Sequence, residues 1–209
     1  MKKSTLTLTA AFLLATGIHA QDGVKPMRLG LEIAPNMGWI STDEKGVESD
    51  GNKTGYRFGL LGDFRMGSDN YFFSTGLFLN NLGAKVKVGE DTSAISSEAK
   101  YQFVEVPITI KLKTNEIGYM TYFGQIGFDA GFRVAAKAKA GDGEFEDISD
   151  TANMLRMALA VGGGLEYNFS GNTSLILGLK YSNAFTSIND GDGAKAKLHY
   201  FAVTVGALF

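Results

Sequence analysis

The stretch Leu155-Arg-Met-Ala-Leu-Ala-Val-Gly-Gly-Gly-Leu-Glu-Tyr-Asn-Phe169 alternates bulky apolar residues with small or charged ones. Its odd-numbered positions are apolar apart from Gly163, whereas its even-numbered positions carry Arg156, Glu166, alanines and glycines. A period of two is typical of a β-strand with one apolar and one polar face. The stretch therefore predicts a strand whose polar face is also its less bulky face.

The same alternation recurs from Met27 to Phe209 with no convincing helical period. It predicts strands at 27–41, 54–66, 71–84, 100–113, 119–137, 153–169, 174–186 and 198–209. Turns of four or five residues alternate with longer linkers that are rich in charged residues and glycine. This order is typical of an all-β fold, the eight-stranded antiparallel up-and-down transmembrane β-barrel, with short turns on one side of a membrane and long loops on the other.

The composition excludes several other classes of protein. The 209 residues include 27 glycines and are 44% hydrophobic and 11% aromatic. A mean hydropathy of zero is too low for a helical membrane protein, and the aromatic content is too high for a disordered chain. The absence of cysteine excludes disulfides and thiolate zinc sites. A net charge of −2 without a basic block argues against nucleic acid as a partner.

Residues 1–20 are expected to be a cleaved signal peptide. Lys2 and Lys3 precede a short apolar region, and Ala20 stands at the expected cleavage point before Gln21. Residues 21–209 are then one outer-membrane β-barrel domain. The expected location is the outer membrane of a Gram-negative bacterium.

Alternation alone allows two barrels, a soluble lipocalin-type barrel with its apolar face inward and a membrane barrel with that face outward. An eight-stranded barrel has an interior just wide enough for side chains, so its inward face must be rich in small residues. Glycine, alanine and serine share the charged face here. We therefore predict that the polar face lines the lumen and the apolar face meets lipid.

The charged residues of the predicted inward face form a candidate site. Unpaired charges in a narrow lumen are costly, so these residues are expected to pair. Two interpretations stay open, an ion-paired plug that maintains the barrel's shape and a thin, charge-lined water path for small ions. The set comprises Arg28, Glu32, Arg57, Asp63, Arg65, Glu105, Lys111, Asp129, Arg133, Arg156, Glu166 and Lys180.

The last predicted strand has an apolar face ending in an aromatic residue, as in the signal that outer-membrane assembly machinery reads. That face carries Phe201, Val203, Val205 and Phe209. The barrel-assembly machinery is therefore an expected partner, together with outer-membrane lipid and lipopolysaccharide. The chain is expected to be a monomer.

No catalytic, cofactor or metal site is expected. His199 has no serine two residues further on, and we interpret it as a spectator at the membrane–water boundary. One histidine without cysteine does not build a transition-metal site. Asp190 and Asp192 lie in a turn-like, oxygen-rich run that leaves open weak divalent bridging to lipopolysaccharide. We therefore predict a non-enzymatic protein.

The stretch Phe103-Val-Glu-Val-Pro-Ile-Thr-Ile-Lys111 resembles the "L-E-I-P-l-l-l-K" strand of the porin-like (PorT-type) outer-membrane β-barrel family common in Bacteroidetes. The following Tyr122-Phe-Gly-Gln-Ile-Gly-Phe-Asp-Ala-Gly131 is similar to that family's next, glycine-rich strand. The resemblance implies a porin-like barrel. Pro35 and Pro107 are out of place in a closed sheet, so each requires a bulge or a locally unpaired donor position.

The leading functional hypothesis is an outer-membrane barrel whose loops contribute to envelope integrity or surface contact. A small-solute or ion channel and a component of an outer-membrane secretion machinery are the alternatives. A fold alone does not choose among these roles.

Overall fold

The computed structural model describes residues 26–42, 47–88, 95–141, 143–171, 173–189 and 195–209. Within them the strands are β1 (Met27–Thr42), β2 (Val47–Arg65), β3 (Tyr71–Val88), β4 (Ile95–Lys113), β5 (Met120–Ala140), β6 (Glu146–Asp147), β7 (Leu155–Ser170), β8 (Thr173–Ala184) and β9 (Ala196–Leu208). No helix in these residues has the length and apolar character needed to cross a membrane.

The eight long strands form a closed antiparallel barrel, as predicted. Each pairs with the next along the chain, and β9 returns to pair with β1. The two-residue strand β6 pairs with the C-terminal part of β5, beyond the stretch of β5 that pairs with β7. The all-β, up-and-down barrel inferred from alternation is therefore confirmed.

The two ends of the barrel have different connections. At the end we call the turn end, short connections join β2 to β3, β4 to β5 and β7 to β8. These connections contain Gly67, Gly118 and Gly171, whose φ angles are 71°, 68° and 53°. Only glycine adopts such angles without strain, which explains its place in these turns. The opposite end is called the loop end.

Strands β2 to β5 extend further towards the loop end than the alternation predicted, so the linker between β3 and β4 is shorter. Strand β3 continues to Val88 rather than residue 84, and β4 begins at Ile95 rather than residue 100. The extensions carry charges on their outer side, where Lys53 Nζ lies 2.9 Å from Glu98 Oε2. Their apolar residues point inward instead, where Ala99 belongs to the buried hydrophobic cluster and Val86 packs against it. The polarity of the two faces is thus reversed relative to the membrane-facing part of the strands, and a search for strands with an apolar outer face misses these extensions.

The prediction of which face points inward is confirmed. Leu31, Leu60 and Leu77 are neighbours on three adjacent strands and are 56%, 58% and 54% exposed. Glu105 and Asp129 have no exposed surface. A continuous apolar outer wall of this kind is unsuited to water and suits lipid.

The two strand prolines occupy locally unpaired donor positions and not bulges. The pairing of β1 with β9 keeps its register from Ile33 to Asn36 but omits the two residues between them, one of which is Pro35. Pro107 pairs with Asp129 of β5, while its pairing with β3 is missing and the register on either side is unchanged. Each proline therefore interrupts one ladder, because it has no N–H to donate.

Two glycines of β5 allow a matched test of how close the strands approach. A Cβ added at inward Gly127 would overlap the backbone oxygen of Ile108, whereas one added at Gly124 meets no described residue within 4 Å. Gly127→Ala is expected to lower the free energy of unfolding by about 1–3 kcal/mol, because backbone must move. Gly124→Ala is expected to change it by less than about 1 kcal/mol, towards greater stability. Denaturant unfolding in lipid vesicles measures both, and equal losses would contradict the close approach.

Candidate functional site in the barrel lumen

The described part of the lumen holds its charges in two groups. The turn-end cluster comprises Arg28, Asp63, Lys111, Lys113 and Glu166. The central cluster comprises Glu32, Arg57, Glu105, Asp129, Arg156 and Lys180. Three bases face two carboxylates in the first group, and three face three in the second. The charges are therefore nearly balanced within each layer of the barrel.

The turn-end cluster is built around Asp63 and Glu166. Lys111 Nζ donates to Asp63 Oδ2 at 2.8 Å, and Lys113 Nζ contacts the same oxygen at 3.2 Å and Glu166 Oε1 at 2.7 Å. Arg28 Nη1 donates to Glu166 Oε2 at 3.0 Å. Strands from opposite walls of the barrel are thus joined by charge-assisted hydrogen bonds, which are stronger than hydrogen bonds between neutral groups.

Glu105 is the centre of the central cluster. Its Oε1 accepts hydrogen bonds from Arg57 Nε at 3.0 Å and from the Tyr200 hydroxyl at 2.9 Å. Its Oε2 accepts from Asn80 Nδ2 at 2.9 Å and lies 3.6 Å from Arg156 Nη1. Both oxygens of a fully buried carboxylate are therefore satisfied, as a buried charge requires.

Arg57 and Lys180 connect Glu105 to the other two acids of the cluster. Arg57 also binds Glu32, and its guanidinium carbon lies 3.3 Å from the centre of the Phe78 ring. Lys180 Nζ donates to Asp129 Oδ1 at 2.8 Å. The cluster is a connected network and not a set of separate pairs.

Two residues of the predicted network lie elsewhere, and one base was missed. Arg65 pairs with Asp69 in the β2–β3 turn and is 30% exposed, because it lies at the very end of β2. Arg133 donates to the backbone oxygens of Asn153 and Ser149 at 3.1 and 2.6 Å, because the bulge beside it directs its side chain into the β5–β7 connection. Lys113 continues the inward series of Lys111, which is the signal that would have identified it.

The stretch that carries the family resemblance supplies a member to each cluster. Within Phe103–Lys111, Glu105 is the centre of the central cluster and Lys111 binds Asp63 in the turn-end cluster. The two residues are six positions apart, so both point inward from the same strand. The motif therefore has a structural explanation as the strand that links the two charge layers.

Towards the loop end the described lumen is apolar. This apolar cap includes Ile40, Leu82, Ala99, Tyr101, Phe103, Ala152, Ile188 and Leu198. Ala152 and Ile188 come from the β5–β7 and β8–β9 connections, and Asn153 N donates to Ile188 O at 2.7 Å. The connections thus fold onto the barrel mouth, which the strand pattern did not predict.

A cavity of about 20 Å³ remains between the clusters, lined in part by Glu32, Arg57, Lys111 and Lys180. A space of this size holds about one water molecule. The lumen around it is filled by side chains.

His199 has a serine partner that its own strand does not supply. Its Nε2 lies 2.8 Å from Ser41 Oγ on β1, and its ring packs 6.0 Å from that of Trp39. The buried Nδ1 has no hydrogen-bond partner among the described residues. The group that orients the base in a nucleophile–base pair is therefore not found in this part of the chain. A search along one strand missed Ser41 because the first and last strands meet only when the barrel closes.

The structure describes only part of the loops. Asp190 and Asp192 lie outside the described residues, as do residues 1–20. The described residues contain no group of three or more side chains that could hold a metal ion.

Hydrogen bonds from Ser149 to exposed Asp147, helped by the charge of Lys137, lower the pKa of that carboxyl below its ordinary value.

The predicted assembly residues lie on the outer side of the barrel's closing strand. Phe201, Val203, Val205 and Phe209 are 41%, 39%, 48% and 51% exposed. Phe209 N donates to Leu29 O on β1 at 2.8 Å, next to the seam where the barrel closes.

Comparisons with known proteins found one matching family and several similar solved structures. The family described as "Outer membrane protein beta-barrel domain" matches residues 19–190. Among solved structures, Neisserial surface protein A is 11% identical with a TM-score of 0.52, over 90% of this chain and 98% of that one. Ail, the attachment invasion locus protein of Yersinia pestis, is 19% identical with a TM-score of 0.43, over 88% and 97%. OprG from Pseudomonas aeruginosa is 11% identical with a TM-score of 0.44, over 88% and 94%.

A search of curated proteins found no match. The likeness to Neisserial surface protein A shows the fold of the chain. The family match covers well over half of the sequence. The chain therefore belongs to the outer membrane protein beta-barrel domain family.

Proposed function

We propose that this protein is a non-enzymatic outer-membrane barrel with a plugged lumen, whose role in envelope integrity or surface contact is exerted at its loop end. The observation that carries the proposal is the filled interior, in which Glu105 and its partners are buried and paired beneath an apolar cap. An apolar layer across a narrow lumen opposes the passage of ions, because ions lose hydration there. The plug interpretation is therefore favoured over the water path.

We also propose that residues 1–20 are a cleaved signal peptide and that assembly machinery recognises the outward side chains of β9. A narrower place within the PorT-type family is supported by the resemblance of Phe103–Lys111. Both charged residues of that motif, Glu105 and Lys111, belong to the lumen clusters. This is expected if the motif is a signature of a fold that the family shares.

Planar-bilayer recording of the purified protein tests the plug. Wild-type protein is expected to give no steady open-channel current, because side chains fill the described part of its lumen. A porin inserted in the same chamber is the positive control. A steady wild-type conductance of porin size would overturn the proposal and favour the small-solute channel.

A further inference from the structure

The outer wall of the barrel carries a groove across β2 to β5. The groove lies at the edge of the apolar wall that faces the loop end. We call it the lysine groove, and its volume is about 460 Å³. Its lining includes Lys53, Tyr56, Asn81, Lys100, Gln102 and Lys137. The outward residues next below it on the same strands are apolar, and the Phe58 ring stacks on that of Tyr56 at 6.2 Å. The groove thus lies where apolar wall gives way to charged wall.

Positive charge dominates the groove. Among the described residues its lining has three lysines and no carboxylate. One flanking carboxylate, Glu98, is shared by Lys53 at 2.9 Å and Lys100 at 3.7 Å. A second, Asp147, pairs in register with Lys137.

Two of these lysines stand directly opposite each other. Lys100 on β4 is paired in register with Lys137 on β5. Like charges at opposed positions destabilise a sheet, unless an anion lies between them. Lys100 Nζ is also 4.0 Å from the Phe145 ring centre, an arrangement that keeps its charge on this wall of the barrel.

The floor of the groove is narrow and offers polar atoms. Gly83 leaves room for the stem of Lys53, whose Cγ would lie 2.5 Å from a Cβ at that position. Gln102 Nε2 donates to Asn81 Oδ1 at 3.0 Å, while Asn81 Nδ2 has no acceptor among the described residues. Amides and a tyrosine beside lysines suit a ligand that combines hydroxyl groups with negative charge.

We propose that the lysine groove binds the phosphorylated saccharide headgroup of an outer-leaflet lipid. This inference rests on the proposed outer-membrane location, with short turns periplasmic and the loop end outside. Lysine ammonium groups bind phosphate as point charges. The volume matches a sugar-sized ligand better than a single phosphate, and the apolar wall below accommodates the acyl chains.

The test uses the full mature chain in neutral detergent and fluorescently labelled lipopolysaccharide. The triple variant Lys53→Gln, Lys100→Gln, Lys137→Gln is expected to bind about tenfold more weakly, which corresponds to about 1.4 kcal/mol. The control is Lys195→Gln with Lys197→Gln, which removes two lysines at the β9 side of the barrel, away from β2 to β5, and its affinity is compared with that of the double variant Lys100→Gln, Lys137→Gln as well as the triple variant. The control is expected to bind like wild type. Equal weakening in the control and the groove variants would overturn the proposal.

Two further lipids separate the chemistry of the headgroup from simple charge. Wild type and triple variant are expected to bind dephosphorylated lipopolysaccharide with equal affinity. A difference in affinity that persists without the phosphates would exclude phosphate recognition. Phosphatidylglycerol that binds as tightly as lipopolysaccharide would exclude saccharide recognition.

The folding of each variant is checked separately, by the shift in gel migration between unboiled and boiled protein. If the triple variant does not fold, Lys100→Gln alone replaces it, since that side chain is 54% exposed. Porin-sized conductance would refute the plugged barrel without affecting the binding result, so the two proposals fail independently.

Discussion

Replacing Glu105 with glutamine is expected to lower the free energy of unfolding by about 3–5 kcal/mol, the usual effect of removing one partner from a buried ionic network. The glutamine keeps the size of the side chain but removes the negative charge that Arg57 and Lys180 share. These bases are almost fully buried, so water does not easily replace the lost carboxylate. Urea unfolding of the protein in lipid vesicles measures the loss.

The control for Glu105 is the exposed pair of Arg65 and Asp69. Asp69 is 64% exposed, and its partner is 30% exposed. Asp69→Asn is expected to change the free energy of unfolding by no more than about 1 kcal/mol, because solvent already screens the pair. Equal losses for the two variants would mean that the lumen network does not stabilise the barrel.

An arginine at Leu60 is expected to lower the free energy of unfolding by about 2–4 kcal/mol in lipid vesicles. Leu60 is 58% exposed on the outer wall and lies between Leu31 and Leu77 of the neighbouring strands. An arginine there enters the middle of the apolar wall, between Tyr56 and Met66 of the same face, where neither water nor headgroups solvate its charge. The effect depends on the bilayer and is expected to shrink in short-chain detergent.

Ile117→Arg is the matched control for Leu60. Ile117 is 66% exposed and lies in the connection between β4 and β5, outside the long strands. The same change in side chain is expected to alter the free energy of unfolding by about 0–1 kcal/mol there, as near a membrane interface. A similar loss at both positions would contradict the assignment of the apolar wall to lipid.

The number of long strands and the direction of each face were predictable from the sequence. In 155–169 the alternation separates bulky apolar residues from small and charged ones. A narrow lumen admits only one of the two orientations. All five predicted lumen acids lie inside, because in a strand stretch without a bulge the parity of a residue sets the face to which it points.

Other features were not visible as a pattern. The extensions of β3 and β4 carry their charges outward and Val86 and Ala99 inward, the reverse of the lipid-facing part of the strands. The apolar cap also includes Ala152 and Ile188 from connections that fold inward. Arg133 has inward parity, yet a bulge and the backbone of the β5–β7 connection determine its partners. Parity does not reveal where a strand bulges or which loop covers it.

The sequence by itself determined that the chain forms an all-β barrel and which face of each membrane-spanning strand lines its lumen, because alternation is a local property of each strand. Only the tertiary structure decided which residues meet. Glu105 contacts Tyr200, 95 positions away, and Ser41 contacts His199, 158 positions away. Such contacts depend on the closure and stagger of the barrel, which set every strand's height against its neighbours and across the lumen.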